Sequence, residues 1–144
     1  MKKAAIVDFM GTIAVPSESS GEIYPIPGAI GAIRRLSQEF DVYISSKTPT
    51  NSLELWFKKH DIFDNVFLFY GGDDGTKEEH LEKIMNIEEY DIILYIADRP
   101  EDFNVNCDNL IKIAVNICLD DNFENVRAYR ESLTVDLIEE YMEG

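Results

Sequence analysis

Five short runs of apolar and β-branched residues recur along the chain, separated by stretches with helical periodicity. Each run is mostly apolar on both faces, which is typical of strands buried in a parallel sheet rather than of exposed antiparallel strands. The alternation predicts an α/β fold in which helices cover a parallel sheet. The predicted strands are residues 4–9, 41–45, 65–70, 91–97 and 111–115.

Four amphipathic stretches predict the helices between and after these strands. Pro27 and Gly28 open the first, because proline suits the first turn of a helix. The second begins near residues 50–51, the third near Lys77, and the last runs through residues 133–141. Residues 13–26 are rich in proline, serine and glycine, so they predict a loop or a small hairpin flap.

The composition fits one globular domain over residues 1–144, since 45% of the chain is hydrophobic. Its 28 acidic and 13 basic residues give a formal net charge of -15. That charge repels a phosphate backbone, so we expect no nucleic-acid partner. Most of the acidic side chains are expected to lie on the surface in contact with water. An anionic substrate would need compensating positive charge, for which a divalent cation is the strongest candidate.

The cysteines and the start of the chain indicate a cytoplasmic protein. Cys107 and Cys118 lack a second cysteine or histidine at metal-ligand spacing, which favours reduced thiols over disulfides or zinc. Asp8 interrupts the N-terminal apolar stretch too early for a secretory signal. No apolar run approaches the roughly 18 residues of a membrane helix, so we expect no membrane partner. His60 and His80 lie in polar helical surroundings and are predicted to be surface residues.

Polar clusters follow the first, second and fourth predicted strands. The carboxyl ends of parallel strands meet at one edge of the sheet, where ligands bind, so we expect these clusters to lie together. An aspartate at such a turn can also be a simple cap, and Asp98 before Pro100 suits a helix N-cap. The clusters are residues 8–12 (Asp-Phe-Met-Gly-Thr), 45–47 (Ser-Ser-Lys) and 98–102 (Asp-Arg-Pro-Glu-Asp).

The first cluster resembles the DxDGT signature of the haloacid dehalogenase-like superfamily, with Met10 in place of the second aspartate. Ser45, Lys77 and the cluster that begins at Asp98 resemble that family's second, third and fourth motifs, in the same order. The resemblance covers roughly residues 3–116. It implies a three-layer α/β/α Rossmann-like sandwich, with a five-stranded parallel sheet in the order 5-4-1-2-3 and no separate cap domain.

The resemblance also implies a nucleophile and a Mg²⁺ site. Asp8 would take a phosphoryl group, and Mg²⁺ would be held by Asp8, the backbone carbonyl of Met10 and Asp98. Asp102 would support the metal through its water shell. Hard oxygen ligands with several waters suit this metal.

A phosphate-binding set is implied in the same way. Ser45 would donate a hydrogen bond to a phosphoryl oxygen, and Lys77 would neutralise charge between the nucleophile and the substrate. Lys77 also fits a surface residue at a helix N-terminus, and Lys47 is an alternative for its role. We favour Lys77 because it precedes the third predicted helix. The other expected members of the phosphate site are Gly11, Thr12 and Ser46.

Met10 departs from the family pattern at the position whose aspartate protonates the leaving group and then activates water. A thioether can do neither, and the loss of such a group typically costs ~10² to 10⁴ in rate. One hypothesis is a Mg²⁺-dependent phosphatase or phosphotransferase that acts through an aspartyl-phosphate and is weakened by Met10. The other is an inactive relative that keeps the pocket for binding. Since a site without a cap is open, a bulky or macromolecular phosphorylated substrate is favoured.

Two further interpretations carry less weight. A response-regulator receiver also has a phosphorylatable aspartate on an α/β sheet, but it needs an acidic pair where this chain has Asp8, Phe9 and Met10. Asp73 and Asp74 partly repeat the first signature after the third predicted strand. We interpret this partial repeat as a coincidence, and the alternative is an accessory role of the two aspartates near the metal.

Overall fold

The computed structural model describes residues 1–118 and 120–143, and its centre is a six-stranded parallel sheet. Residues 119 and 144 of the predicted domain lie outside the described residues. Two further strands form a separate antiparallel hairpin. The sheet contains β1 (Lys3–Val7), β4 (Asp41–Ser45), β5 (Leu68–Tyr70), β6 (Ile92–Ala97), β7 (Leu110–Ala114) and β8 (Arg127–Ala128), and the hairpin contains β2 (Ala14–Pro16) and β3 (Ile23–Pro25).

The strand order is β5-β4-β1-β6-β7-β8. The five predicted strands therefore take the predicted order, and the α/β class is confirmed. The predicted number of strands is wrong by one, because β8 adds to the edge beside β7. Both residues of β8 are exposed. Two exposed residues form no apolar run, so nothing in the sequence pattern marks them as a strand.

The described part of the chain contains four helices and three short 3₁₀ turns, and the last helix follows the last strand. Helix α3 begins with a capping box, in which Thr76 and Glu79 each accept the other's backbone N–H. Among the described residues, no helix has the length and apolarity needed to cross a bilayer. The helices are α1 (Ala29–Leu36), α2 (Thr50–Lys59), α3 (Lys77–Ile87) and α4 (Val135–Glu143), and the 3₁₀ turns are Phe63–Asn65, Gly72–Asp74 and Pro100–Phe103.

The helices cover opposite faces of the sheet and create two apolar cores. Ala5 and Val7 of β1 pack with apolar residues of α1, α2 and α4 in one core. Ala4 and Ile6 of the same strand pack with apolar residues of α3 in the other. Successive side chains of a strand point to opposite faces, so β1 contributes to both cores. The predicted three-layer arrangement is confirmed.

The hairpin β2–β3 lies within the segment for which a loop or small flap was predicted. Trp56 of α2 donates its indole N–H to the carbonyl of Ile23 at 3.0 Å, which ties the hairpin to the core. The Phe9 ring lies edge-on against Trp56, with 4.9 Å between the ring centroids. Between β1 and α1 the chain forms only this hairpin and its turns, so no cap domain is inserted there.

Candidate functional site

Three carboxylates converge at the carboxyl edge of the sheet. Asp8 follows β1, Asp98 follows the neighbouring strand β6, and Asp102 lies in the next turn. One oxygen from each carboxylate lies within 4.8 Å of the other two. Asp8 is 8% exposed, while Asp98 and Asp102 are half-buried. The structure thus brings together the three acidic residues that were expected at a metal site.

The backbone of β1 and β6 places these groups. The Asp8 N–H donates to the carbonyl of Ile96 at 2.9 Å, which extends the pairing of the two strands by one residue. Asp98 follows β6 directly and therefore lies beside Asp8. The 3₁₀ turn Pro100–Phe103 then reverses the chain and returns the Asp102 side chain towards the strand ends.

A tight turn at Gly11 packs directly on the Asp98 carboxylate. Gly11 has a φ of 84°, a left-handed conformation that glycine adopts without strain. A Cβ at this position would overlap the Asp98 carboxylate, so any side chain would displace that group. Thr12 is fully buried, and its hydroxyl donates to Asp98 Oδ1 at 3.4 Å. Both residues therefore support Asp98 here, and their expected contact with phosphate stays a prediction.

Lys77, the first residue of α3, reaches between two of the carboxylates. Its Nζ lies 2.9 Å from Asp8 Oδ1 and 2.8 Å from Asp102 Oδ1. The Lys77 side chain is only 13% exposed, so water screens these ion pairs weakly. One ammonium thus faces three carboxylates, and negative charge is left over.

Burial and the neighbouring charges shift the pKa values of these carboxylates and of Lys77. Burial raises the pKa of Asp8 from 3.8 to about 7, against the lowering effect of the Lys77 ammonium. Burial also raises the pKa of Asp98, and the charge of Asp102 adds to that effect. Burial by itself would lower the pKa of Lys77, but the Asp8 charge and the hydrogen bonds to Asp102 and Asp8 outweigh it and raise that pKa. A further cation would relieve the repulsion among the carboxylates.

We expect Asp8→Asn to stabilise the metal-free protein at pH 8. Asp8 holds its proton more tightly in the folded chain than in the unfolded chain, so its ionisation lowers stability as the pH rises from 3.8 to about 7. An asparagine removes that cost and can still accept a hydrogen bond from Lys77. With a chelator present, its free energy of unfolding in urea should exceed that of the wild type by on the order of 1 to 3 kcal/mol.

The gain should shrink as the pH falls towards 4, because the proton that Asp8 then binds removes the buried charge. Glu82→Gln is a suitable control, since it removes an exposed carboxylate from α3 and should change stability by less than about 0.5 kcal/mol. An Asp8→Asn protein no more stable than the wild type at pH 8 would show that burial of this charge is not destabilising.

The carboxylates and Lys77 line an open cavity of about 220 Å³. Met10 lines it as well, at the position where the family pattern places an acid. Small-molecule sites usually measure roughly 300 to 1,000 Å³. This cavity therefore has room for a phosphoryl group and leaves the rest of a larger substrate outside.

Two serines lie at the end of β4, and Ser46 is the one that lines this cavity. Ser45 is 2% exposed, and its Oγ lies 2.8 Å from Nδ1 of His80, away from the cavity. Ser46 lines the cavity, and its Oγ accepts the Thr48 N–H at 3.1 Å. Adjacent side chains of an extended chain point to opposite sides, so the two serines cannot both face a ligand. Of the two serines expected at the phosphate site, only Ser46 lies where it could contact a ligand in this cavity, and that contact stays a prediction.

The basic residues of the cavity differ in their environment. Lys47 is exposed and lines the cavity, yet it forms no ion pair within residues 1–118 and 120–143. Lys77 is mostly buried between Asp8 and Asp102. This geometry favours Lys77 for the role that the sequence left open between the two lysines. Arg99, for which the sequence predicts no role, also lines the cavity and is exposed.

The prediction that His80 is a surface residue is wrong, because its side chain is fully buried. His80 lies on the face of α3 that also buries Leu81 and Ile84. That helical spacing was present in the sequence and could have revealed the burial of His80. His60 is half-buried rather than exposed, and its ring packs on Trp56 with 4.2 Å between centroids.

Asp73 and Asp74 stabilise the start of α2. The backbone N–H and the hydroxyl of Thr50 donate to Asp73 Oδ1 at 2.8 and 2.9 Å. The same hydroxyl also donates to Asp74. A carboxylate at a helix N-terminus is favourable, and Pro49, which precedes Thr50, has no side chain that could cap. Neither aspartate lines the cavity, so nothing in this geometry favours the accessory metal role.

The donor set of the cavity fits a hard divalent cation. Mg²⁺ prefers carboxylate oxygens and keeps several of its waters, which requires space beside the ligands. Asp8, Asp98 and Asp102 supply the oxygens within 4.8 Å of one another, and the open cavity supplies the space. Burial raises the pKa values of Asp8 and Asp98, and the neighbouring carboxylates add to that effect, so a bound cation would favour the charged form of both groups.

Solved structures similar to this chain include two from Streptococcus pneumoniae. A hydrolase of the haloacid dehalogenase-like family from Streptococcus pneumoniae superposes with a TM-score of 0.72 at 12% identity, covering 98% of this chain and 98% of that chain. The core domain of a protein from Streptococcus pneumoniae TIGR4, provisionally described as a phosphoglycolate phosphatase, superposes with a TM-score of 0.65 at 15% identity. That match covers 99% of this chain and 96% of the other. No protein-family model matches the sequence, and no curated protein matches it.

The chain therefore has the haloacid dehalogenase-like fold, as its motifs implied. Identities of 12% and 15% establish a shared fold and not a shared substrate. The chemistry of this protein has to be inferred from the residues of its own site.

Proposed function

We propose that this protein is a Mg²⁺-dependent phosphatase or phosphotransferase that forms an aspartyl-phosphate on Asp8. The observation that carries the proposal is the convergence of Asp8, Asp98 and Asp102 around the Lys77 ammonium in an open cavity. The descriptions of the two similar structures, a hydrolase and a provisional phosphatase, support a phosphohydrolase class.

The metal is proposed to bind between Asp8, Asp98 and the backbone carbonyl of Met10, with Asp102 behind its water shell. A bound Mg²⁺ supplies the positive charge that lets a carboxylate approach a phosphoryl group. The chain's own part is to hold these oxygens together. Gly11 and Thr12 fix the Asp98 carboxylate from one side, and the β1–β6 pairing fixes Asp8 beside it.

Asp8 is the nucleophile in this proposal. A carboxylate oxygen attacks the phosphorus, the bond to the leaving oxygen breaks, and the leaving group departs with that electron pair. Lys77, at 2.9 Å from Asp8, is placed to stabilise negative charge on the phosphoryl oxygens as they reach the nucleophile. Ser46 lines the same cavity and takes the hydrogen-bonding role first assigned to Ser45.

Met10 limits both halves of this reaction. The leaving group departs without a positioned proton donor, and no acid-base group at position 10 activates the water that would cleave the aspartyl-phosphate. We therefore propose that substrates with leaving groups of low pKa react fastest. The phosphoryl group should also persist on Asp8 for longer than in a relative with an aspartate at this position.

The proposed substrate carries its phosphoryl group on a bulky or macromolecular body. The cavity of about 220 Å³ adjoins a second open depression of about 540 Å³, and Lys47, Lys77 and Asp102 line both. A body larger than the cavity can lie across this depression. The net charge of -15 argues against a nucleic acid as that body.

A binding role without catalysis is the second candidate, and Met10 is the observation that favours it. A protein of this kind would keep the carboxylates for Mg²⁺ and the basic residues for a phosphoryl group, but it would not turn a substrate over. The two candidates therefore differ in turnover and agree in binding.

The test is the hydrolysis of an activated aryl phosphate with Mg²⁺ and with a chelator. Its leaving group needs little protonation, so the missing acid does not limit the first step. We expect Mg²⁺-dependent turnover by the wild type and by Asp64→Asn, which alters an exposed aspartate outside the cavity. Asp8→Asn should be inactive.

Calorimetric titration with Mg²⁺ separates the remaining outcomes. Mg²⁺ binding without turnover by the wild type would favour the binding role. A folded protein with neither turnover nor Mg²⁺ binding would contradict the assignment of the site.

A further inference from the structure

His80 is a buried titratable group beside the site that the proposed reaction does not use. It is 0% exposed and lies in the first turn of α3, three residues after Lys77. A buried polar side chain is costly unless its polar atoms are hydrogen-bonded. Both ring nitrogens of His80 have such a partner.

The two ring nitrogens contact the ends of two different strands. Nδ1 lies 2.8 Å from Oγ of Ser45, the last residue of β4, and Nε2 lies 2.9 Å from the carbonyl oxygen of Gly71, which follows β5. A carbonyl oxygen can only accept, so Nε2 carries a hydrogen. Burial lowers the pKa of His80, which favours the neutral ring. In that neutral form Nδ1 accepts from the Ser45 hydroxyl.

The Gly71 end of this contact is itself fixed. Its N–H donates to the Thr50 hydroxyl at 3.0 Å, and a Cβ at Gly71 would overlap the Thr50 backbone. The Tyr70 ring stacks on the imidazole with 5.6 Å between centroids. His80 is thus bonded to rigid points of the sheet edge. We use the term His80 clamp for the hydrogen bonds from His80 to Ser45 and Gly71.

We propose that His80 is a positioning residue that holds Lys77 against Asp8. Residues three apart in a helix share a face, so Lys77 and His80 project from the same side of the first turn of α3. The His80 clamp fixes the distance of that turn from the strand ends. From there the Lys77 ammonium reaches Asp8 at 2.9 Å and Asp102 at 2.8 Å. The inference rests on the proposed function only where Lys77 is given a part in the reaction.

The capping box of α3 does not perform the same task. Thr76 and Glu79 are both exposed and bond only to each other's backbone, so they stabilise the start of the helix. Thr76 and Glu79 do not link α3 to the sheet. The His80 side chain does so through its hydrogen bonds with Ser45 and Gly71.

NMR spectroscopy of the Lys77 ammonium in ¹⁵N-labelled protein tests the proposal without any substrate. An ammonium held between two carboxylates exchanges its hydrogens slowly enough to be observed, and Lys77→Met assigns its signal. We expect the signal in the wild type and in His60→Gln, the control at the chain's other histidine. His80→Leu should lose it. An unchanged Lys77 signal in a folded His80→Leu protein would overturn the proposal.

The ¹⁵N shifts of the His80 ring provide a measurement that needs no variant. We expect the neutral Nε2–H tautomer, because the Gly71 carbonyl requires that hydrogen. The Nδ1–H tautomer or a protonated ring at pH 7 would overturn the clamp even if His80→Leu failed to fold.

Turnover of an aryl phosphate by the two single variants and the double variant distinguishes a positioning role from a merely structural one, because only an effect that acts through Lys77 is absent when Lys77 is already replaced. His80→Leu and Lys77→Met should each lower kcat by about 10² to 10³, and the double variant should be no slower than Lys77→Met. Losses that multiply in the double variant would show that His80 acts independently of Lys77. A wild type without turnover would contradict the proposed function, while the NMR results would still decide the role of His80.

Discussion

Met10→Asp should raise the rate of hydrolysis of an unactivated alkyl phosphate by ~10² to 10⁴. Met10 lines the cavity together with Asp8, so we expect a carboxyl at this position to reach the leaving group. Three carboxylates already converge at this edge, and their repulsion would raise the pKa of a fourth. A carboxyl that keeps its proton near neutral pH can donate it to the leaving oxygen and later take one from water.

The comparison of two substrates identifies the origin of the gain. An aryl phosphate needs little help from an acid in the first step. Met10→Asp should therefore raise the rate of aryl alcohol release much less than the rate of alkyl alcohol release. Met85→Asp adds the same charge at an exposed position of α3 and should leave both rates unchanged. Met10→Asn has a similar shape to the aspartate but no proton to give, and it should stay slow. Equal rates for Met10→Asp and Met10→Asn would exclude acid-base catalysis at this position.

Lys77→Met should slow Mg²⁺-dependent turnover of the aryl phosphate by about 10² to 10³, the usual cost of losing one group that stabilises transition-state charge. The same change should tighten Mg²⁺ binding. The Lys77 ammonium contacts Asp8 and Asp102, so its removal leaves those carboxylates to the incoming cation. Slower turnover together with tighter metal binding separates this effect from a general loss of structure.

Lys47→Met is the matched control for Lys77→Met. Lys47 lines the same cavity but is exposed, so solvent screens its charge and turnover should fall by less than about tenfold. A larger loss in Lys47→Met than in Lys77→Met would reverse the assignment of the two lysines.

The sheet could be predicted from the sequence because its central strands are buried on both faces. Ile6 of β1 and Ile44 of β4 belong to continuous apolar runs, which mark parallel strands. The third strand is shorter than predicted, because β5 begins only at Leu68 after a 3₁₀ turn. Strand β8 has no apolar run that would predict it, since it pairs with β7 through two exposed residues.

The carboxylate cluster could also be predicted, because parallel strands place their carboxyl ends at one edge whatever the details of packing. Which of Ser45 and Ser46 lines the cavity could not be predicted from the sequence. It depends on the residue at which β4 ends, and a shift of one residue reverses the face to which each side chain points. The burial of His80 required knowing which face of α3 meets the sheet. The apolar neighbours Leu81 and Ile84 carried that information.

The most direct test of the central claim is the intact mass of the wild-type protein after mixing with Mg²⁺ and excess aryl phosphate, followed by an acid quench. We expect the protein to gain the mass of one phosphoryl group, located in the peptide that contains Asp8, because Met10 leaves its hydrolysis slow. Asp8→Asn should gain nothing under the same conditions. Mg²⁺-dependent release of the aryl alcohol that leaves Asp8 unmodified, and that continues in Asp8→Asn, would contradict the nucleophilic role of Asp8.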